Sequence, residues 1–297
     1  MFFLRINIEF VILKNNNNFK KLKMKKLFSL AIVLLFMVSC STVPISGRKR
    51  INLVNDAQIL PTSFAQYNAF LKENRVSTDA TKTNQIISIG LRISKSVDKF
   101  MRANNMVSEA NNYRWEFNLI EDKTVNAWCM PGGKVIFYSG ILPICANSDG
   151  IAAVMGHEIA HAFAKHGQER MTSAYAQQLG GAAVAIGTAN KDPNNRELWN
   201  LAYGISSSVG MLAYSRTHET EADKLGMVFM IMAGYNPEEA INVWIRMSHR
   251  AGASKQPEFF STHPSNQSRI NNLRNFMPEA VKLAEKYNSQ PINGFKR

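Results

Sequence analysis

Two histidines four positions apart enclose a glutamate in the run His157-Glu158-Ile159-Ala160-His161. On a helix this spacing sets both imidazoles on one face, one turn apart, where they can bind a single ion. Zinc accepts neutral nitrogen donors in a tetrahedral shell, and a catalytic zinc keeps one position open for water. Glu158 lies between the two rings, within reach of that water. It can take the proton as zinc lowers the water's pKa to about 7, and later deliver it to a leaving amine. The flanks, Gly150 to Met155 and Ala162-Phe163-Ala164, are small and apolar and read as a buried helix. A chance His, Glu and His in such a setting would be costly without a partner.

Three protein ligands are expected of such a site, so a third lies downstream. The segment His218-Glu219-Thr220-Glu221-Ala222-Asp223 supplies the candidates. On a helix Glu219 and Asp223 share a face, while Glu221 points roughly 200° away. Glu219 is read as the ligand, and Asp223 as an acceptor that orients a ligating histidine through its other ring nitrogen. Glu221 and, behind it, His218 remain competing ligands, Glu221 being better read as a surface or ion-pair residue. Ala222 is small enough to let this helix approach the first. His166, nine residues from His157, falls on the opposite face and reads as non-ligating. One zinc ion per chain is the expected cofactor.

The elements that must position these residues follow from periodicity. Residues 57–74 and 80–103 repeat apolar side chains at helical spacing. Trp115 to Ile120 alternates as a strand, and Val125–Met130 and Lys134–Tyr138 read as two strands about Pro131-Gly132-Gly133. Asn147-Ser148-Asp149 offers an N-cap for a helix running to about residue 167. Helices are then predicted over 168–179, 196–214, 217–233, 237–250 and 266–286, with Gly234 as a stop and Pro237 opening the next. Gly180 to Gly187 is small and apolar, and is read as a helix–helix contact. The expected fold class is α+β, predominantly helical, with a small antiparallel sheet.

The chain has 297 residues, 45% of them apolar and 19% charged, which excludes a disordered tail, and three Cys exclude a disulfide scaffold. Of the net charge of +13, about half sits in residues 1–26, which weakens any case for nucleic-acid binding. From Met24 the chain reads Met24-Lys25-Lys26, then an uncharged run from Leu27 to Ser39, then Cys40. A basic start and a short apolar run ending in small residues form a secretory signal, too short for a permanent span. Met37-Val38-Ser39-Cys40 resembles a bacterial lipobox, with Cys40 lipidated. The expected organisation is 1–23 as an over-translated leader, 24–39 as lipoprotein signal peptide, 40–56 as lipid-anchored tether and 57–297 as one domain. Cys129 and Cys145 are then left as a possible disulfide pair.

His157–His161 together with Tyr214 to Gly226 resembles the HtpX/CAAX-prenyl-protease family of gluzincin metallopeptidases, and more narrowly its exported lipoprotein and periplasmic members of the BepA and LoiP kind. Val43 to Arg48, Asn126-Ala127-Trp128 through Lys134, Met232 to Pro237 and Ser261 to Ser265 carry the likeness further. The resemblance implies a zincin-like domain in which His157, His161 and Glu219 bind zinc and Glu158 is the catalytic acid and base. It implies that His263 lies near the zinc, stabilising the oxyanion or occupying the open position. It implies that the strand at Asn126, Ala127 and Trp128 pairs with an extended substrate. The function expected is a zinc endopeptidase of unfolded or misassembled envelope proteins, lipid-anchored in a bacterial envelope and facing the periplasm. The alternative is a periplasmic chaperone or assembly factor for outer-membrane proteins.

Overall fold

The computed structural model describes residues 40–51, 54–173, 216–251 and 267–288. The chain divides into Met1–Leu53 and Val54–Arg297. In the first unit, β1 (Cys40–Thr42) pairs antiparallel with β2 (Lys49–Ile51), so Cys40 opens a strand. Residues 1–39, with the leader and signal readings, lie outside the described residues. No helix among the described residues is long and apolar enough to cross a membrane.

The second unit begins with α1 (Asp56–Glu73), closed at its start by a reciprocal capping box between Asn55 and Gln58. α2 (Ala80–Ala103) buries Ile86, Ile89, Ile93, Val97 and Phe100 along one stripe, the spacing that drives a helix onto a core. A short α3 (Val107–Asn111) leads to the sheet. β3 (Glu116–Ile120), β4 (Ala127–Met130) and β5 (Lys134–Tyr138) lie in the order β3-β5-β4. The β4–β5 pair is antiparallel, as expected, with the turn at Gly132 and Gly133, whose φ of 85° and 84° only glycine adopts without strain. The β3–β5 pair is parallel, which corrects the expectation of a purely antiparallel sheet. The six-residue link 121–126 is too short to carry the chain back along the sheet, so β4 runs opposite to β3, and β5, antiparallel to β4, runs in the direction of β3. The margin of β3 is bridged at Ile120 by Val76, whereas β4 is an edge among the described residues.

After α4 (Leu142–Cys145) comes α5 (Ser148–Phe163), whose first turn is capped by the Asn147 side chain at 2.8 Å from the Gly150 amide. From Gly150 to Phe163 every residue of α5 is buried. The helix stops earlier than predicted, at Phe163, and Lys165 takes a left-handed φ of 59°. Helix α6 (166–173) therefore starts in a new direction. α7 (216–232), α8 (Glu238–Ala251) and α9 (Gln267–Tyr287) complete the described chain. The helices predicted over 196–214, the end of 168–179 and the Gly180–Gly187 contact lie outside the described residues.

The core sits under the buried helix. Phe100 of α2, Phe163 of α5 and Phe229 of α7 meet edge to face, with ring centroids 5.2–5.8 Å apart. Each buried ring contributes roughly 2–3 kcal/mol of apolar transfer, and together they fix three helices against one another. A second cluster, Tyr67 with Ile120 and Ile136, holds α1 to the sheet, with Phe70 and Trp128 against it. Cys129 and Cys145 are free thiols, so the pairing left open by the sequence does not form.

Candidate metal centre

Helices α5 and α7 cross backbone on backbone. A Cβ on Gly226 would stand 2.7 Å from the His157 amide nitrogen, and one on Gly156 would stand 2.8 Å from the Gly226 carbonyl oxygen. Ala222 is fully buried as expected, but it is these two glycines that permit the contact. The crossing lays the start of α7 along the face of α5 that carries the two rings.

His157, His161 and Glu219 consequently converge. His157 Nε2 and His161 Nε2 are 3.1 Å apart. The Glu219 carboxylate stands 3.3 Å from each of them, by Oε2 to His157 and Oε1 to His161. Tetrahedral donors held about 2.0–2.1 Å from one ion lie about 3.3–3.4 Å from each other; the two ring nitrogens at 3.1 Å, each with a different oxygen of the Glu219 carboxylate at 3.3 Å, come close to that spacing. The charge balance agrees. Glu158, Glu219 and Asp223 are buried carboxylates, and Arg269 is the buried guanidinium beside them. Arg269 alone does not balance these carboxylates, and a divalent cation would offset the excess of negative charge.

Asp223 is where the sequence reading placed it: its Oδ1 lies 3.0 Å from His157 Nδ1, the ring nitrogen turned away from the ligand cluster. Burial pulls the His157 pKa down, but Asp223 and Glu219 outweigh it and carry it up to about 9. His161 is driven well below the usual imidazole range by burial, which Glu219 only partly opposes. For Asp223, burial works against ionisation and the Arg269 charge overrides it, so its pKa falls. Glu158 is buried on α5, and its charge adds to burial in pushing the Cys129 thiol well up.

Sequence reasoning did not find Arg269. It is 4% exposed, donates to both oxygens of Asp223 at 2.8 and 2.6 Å, reaches Glu219 at 2.9 Å and lies 3.6 Å over the Trp244 ring. Trp244 in turn packs edge-on against His157 at 5.5 Å. A single Arg on an amphipathic helix carries no signal of such a role. Glu221, read as a surface or ion-pair residue, lies 2.8 Å from His166 Nε2, and at 3% exposure it is buried. His218 is buried against Glu169, 3.2 Å away, and stays outside the converging group. His166 is likewise outside that group, yet not on a remote face: the break at Lys165 swings its Nδ1 to 2.8 Å from His161 Nδ1.

Of the expected substrate strand, Asn126 is buried and Ala127 opens β4, which packs against α5. The Trp128 side chain is partly buried and packs against the cluster of Tyr67, Ile120 and Ile136. His263 lies outside the described residues.

Comparisons with known proteins agree with the centre. The pattern described as peptidase family M48 matches residues 91–277. The mitochondrial metalloendopeptidase OMA1 of Schizosaccharomyces pombe is 34% identical over 247 residues, 80% of this chain and 66% of its own length. Its Saccharomyces cerevisiae counterpart is 36% identical over 189 residues, 61% of this chain and 52% of its own. The beta-barrel assembly-enhancing protease of Escherichia coli is 26% identical over 205 residues, 66% of this chain and 39% of its own. The chain thus spans about two-thirds of these relatives' length or less. The narrower likeness to the BepA and LoiP kind is not the best match, since the OMA1 proteins are more similar. The same finding overturns the expected lipid-anchored place in a bacterial envelope, because the more similar relatives are mitochondrial.

Proposed function

The chain belongs to peptidase family M48, and from that premise we propose that it is a zinc-dependent endopeptidase acting on extended or unfolded polypeptide. The observation that carries the reading is the convergence of His157 Nε2, His161 Nε2 and the Glu219 carboxylate, with Glu158 on the same helix. His157, His161 and Glu219 hold the ion, and Asp223 and Arg269 hold two of those ligands in place. When bound there, zinc lowers the pKa of a water to about 7 and polarises the scissile carbonyl. Glu158 takes a proton from the attacking water and passes it to the leaving amine. The edge strand β4, packed on α5, accepts the substrate by strand addition through its backbone. The printed names of the relatives, metalloendopeptidases and a protease, support the same chemistry.

The test uses the purified chain, an unfolded reduced protein as substrate, and zinc analysis. Glu158→Gln is expected to keep one zinc per chain and to lose about 10²–10⁴-fold in cleavage rate. A chelator should abolish cleavage and zinc restore it. Undiminished, metal-dependent cleavage by Glu158→Gln would remove Glu158 from the mechanism.

A further inference from the structure

Two His-x-x-Glu segments face each other behind the metal cluster: His166 to Glu169 on α6, and His218 to Glu221 on α7. Each histidine pairs with the other helix's glutamate. His166 Nε2 lies 2.8 Å from Glu221 Oε2, and His218 Nε2 lies 3.2 Å from Glu169 Oε2. The two rings stack between them, 4.1 Å apart and 15° from parallel. All four side chains are at most 3% exposed.

This clasp meets the metal ligands at the 2.8 Å contact between His166 Nδ1 and His161 Nδ1. Two ring nitrogens at that distance need one proton between them, and the surroundings decide where it sits. His161 presents Nε2 to the ligand cluster, so as a neutral ligand it carries its proton on Nδ1 and donates. His166 Nδ1 must then accept, which puts the His166 proton on Nε2, aimed at the Glu221 carboxylate. With His161 as a neutral Nε2 ligand, this arrangement gives each of these protons an acceptor.

We propose that His166 and Glu221 are positioning residues for the metal ligand His161, forming a carboxylate–imidazole–imidazole relay that fixes its tautomer and ring angle. The relay rests on the reading of His157, His161 and Glu219 as the zinc site. It gives His161 through an intermediate ring what His157 receives directly from Asp223. The clasp also ties α7 to α6 on either side of Glu219, which lies between His218 and Glu221 in sequence. His166, Glu169 and His218 offer ligand atoms within 4.8 Å of one another. Their two rings are stacked in parallel, however, and aim their lone pairs side by side instead of at a common centre, so a second ion is not expected.

The experiment measures zinc affinity of the full chain by competition with a chelator, using Zn²⁺ alone. His166→Phe keeps the stack on His218 and removes both nitrogens, and should weaken zinc binding about 10–100-fold. His166→Asn restores an acceptor near the Nδ1 position and should recover most of that loss. The absorption spectrum of the Co²⁺-substituted protein should shift in His166→Phe and return towards wild type in His166→Asn. Wild-type affinity and spectrum in His166→Phe overturn the relay, as does a second zinc per chain lost with His166. Should His166→Phe fail to fold, nitrogen NMR of the wild-type zinc protein decides: a His166 proton on Nε2 supports the relay and one on Nδ1 overturns it. A wild-type chain that binds no zinc refutes the underlying site, which separates that failure from failure of the relay.

Discussion

Arg269 stays ionised at 4% exposure because Asp223 and Glu219 both lie against it; their charges override the burial that opposes its ionisation and raise its pKa. Removing one member of such a buried group leaves the others without compensation, typically at about 3–5 kcal/mol. Arg269→Leu is therefore expected to destabilise the metal-free protein by about that amount, measured by denaturant unfolding. Zinc at the proposed site would bring positive charge to the same carboxylates, so it should raise the melting temperature more in Arg269→Leu than in the wild type. An equal rise in both would show that the guanidinium and the ion do not share their partners. At this scale the sequence was informative where chemistry fixes spacing. His157, His161, Glu219 and Asp223 were legible because a helix turn and a metal shell allow few arrangements. Arg269 and Glu169 were not, because their partners lie on elements far away in the chain, and the place of His166 was not, because the break at Lys165 re-aims it.

Among the elements, the crossing of α5 and α7 depends on the absence of two side chains. Gly226→Ala would press a methyl group into the backbone around Gly156 and His157, where nothing can rotate aside. The expected cost is about 1–3 kcal/mol, together with weaker zinc binding as the start of α7 is levered away from α5. Calorimetry and zinc competition check both, and an unchanged zinc affinity would mean that α7 can shift without moving Glu219. At the break after α5, Lys165 reaches Asp56 at 2.8 Å, and Gln168 and Asn112 also donate to that carboxylate. Burial opposes ionisation of Asp56, but these partners outweigh it and its pKa falls below 3.8. A carboxylate with a depressed folded pKa contributes stability above its unfolded value and loses it as pH falls through the folded one. Asp56→Asn should thus cost about 0.5–1 kcal/mol at neutral pH, allowing for solvent screening, and the difference should fade below about pH 3.8. A gap that persists in acid would assign the effect to shape instead of charge. Most helix limits were legible in the sequence from periodicity and caps, as with Asn147 and Gly234. The early stop of α5 was not, since a left-handed lysine leaves no mark in a hydrophobic pattern, and neither was the parallel β3–β5 pair, which depends on long-range order.

For the whole molecule, the proposed ion would couple to the fold. Two of its proposed ligands come from α5 and one from α7, so zinc bound there would tie together helices that are distant in sequence. Any ligand that binds the folded state alone stabilises it by mass action, about 4 kcal/mol at a thousandfold excess over its dissociation constant. Chelation is expected to lower the melting temperature of the Glu158→Gln protein, in which self-cleavage cannot confuse the result; an unaltered transition would place the ion outside the folded core. The outer strand β4 has a consequence of another kind. It is four residues long, and the opposite margin of the sheet is already bridged at Ile120. If the proposed strand addition holds, a visiting chain docks along this one short rail among the described residues, through a handful of amide contacts of about 0.5–1.5 kcal/mol each. Such a grip would be brief, so severed fragments would slip off readily, and so short an edge offers little template for runaway stacking of one molecule upon the next.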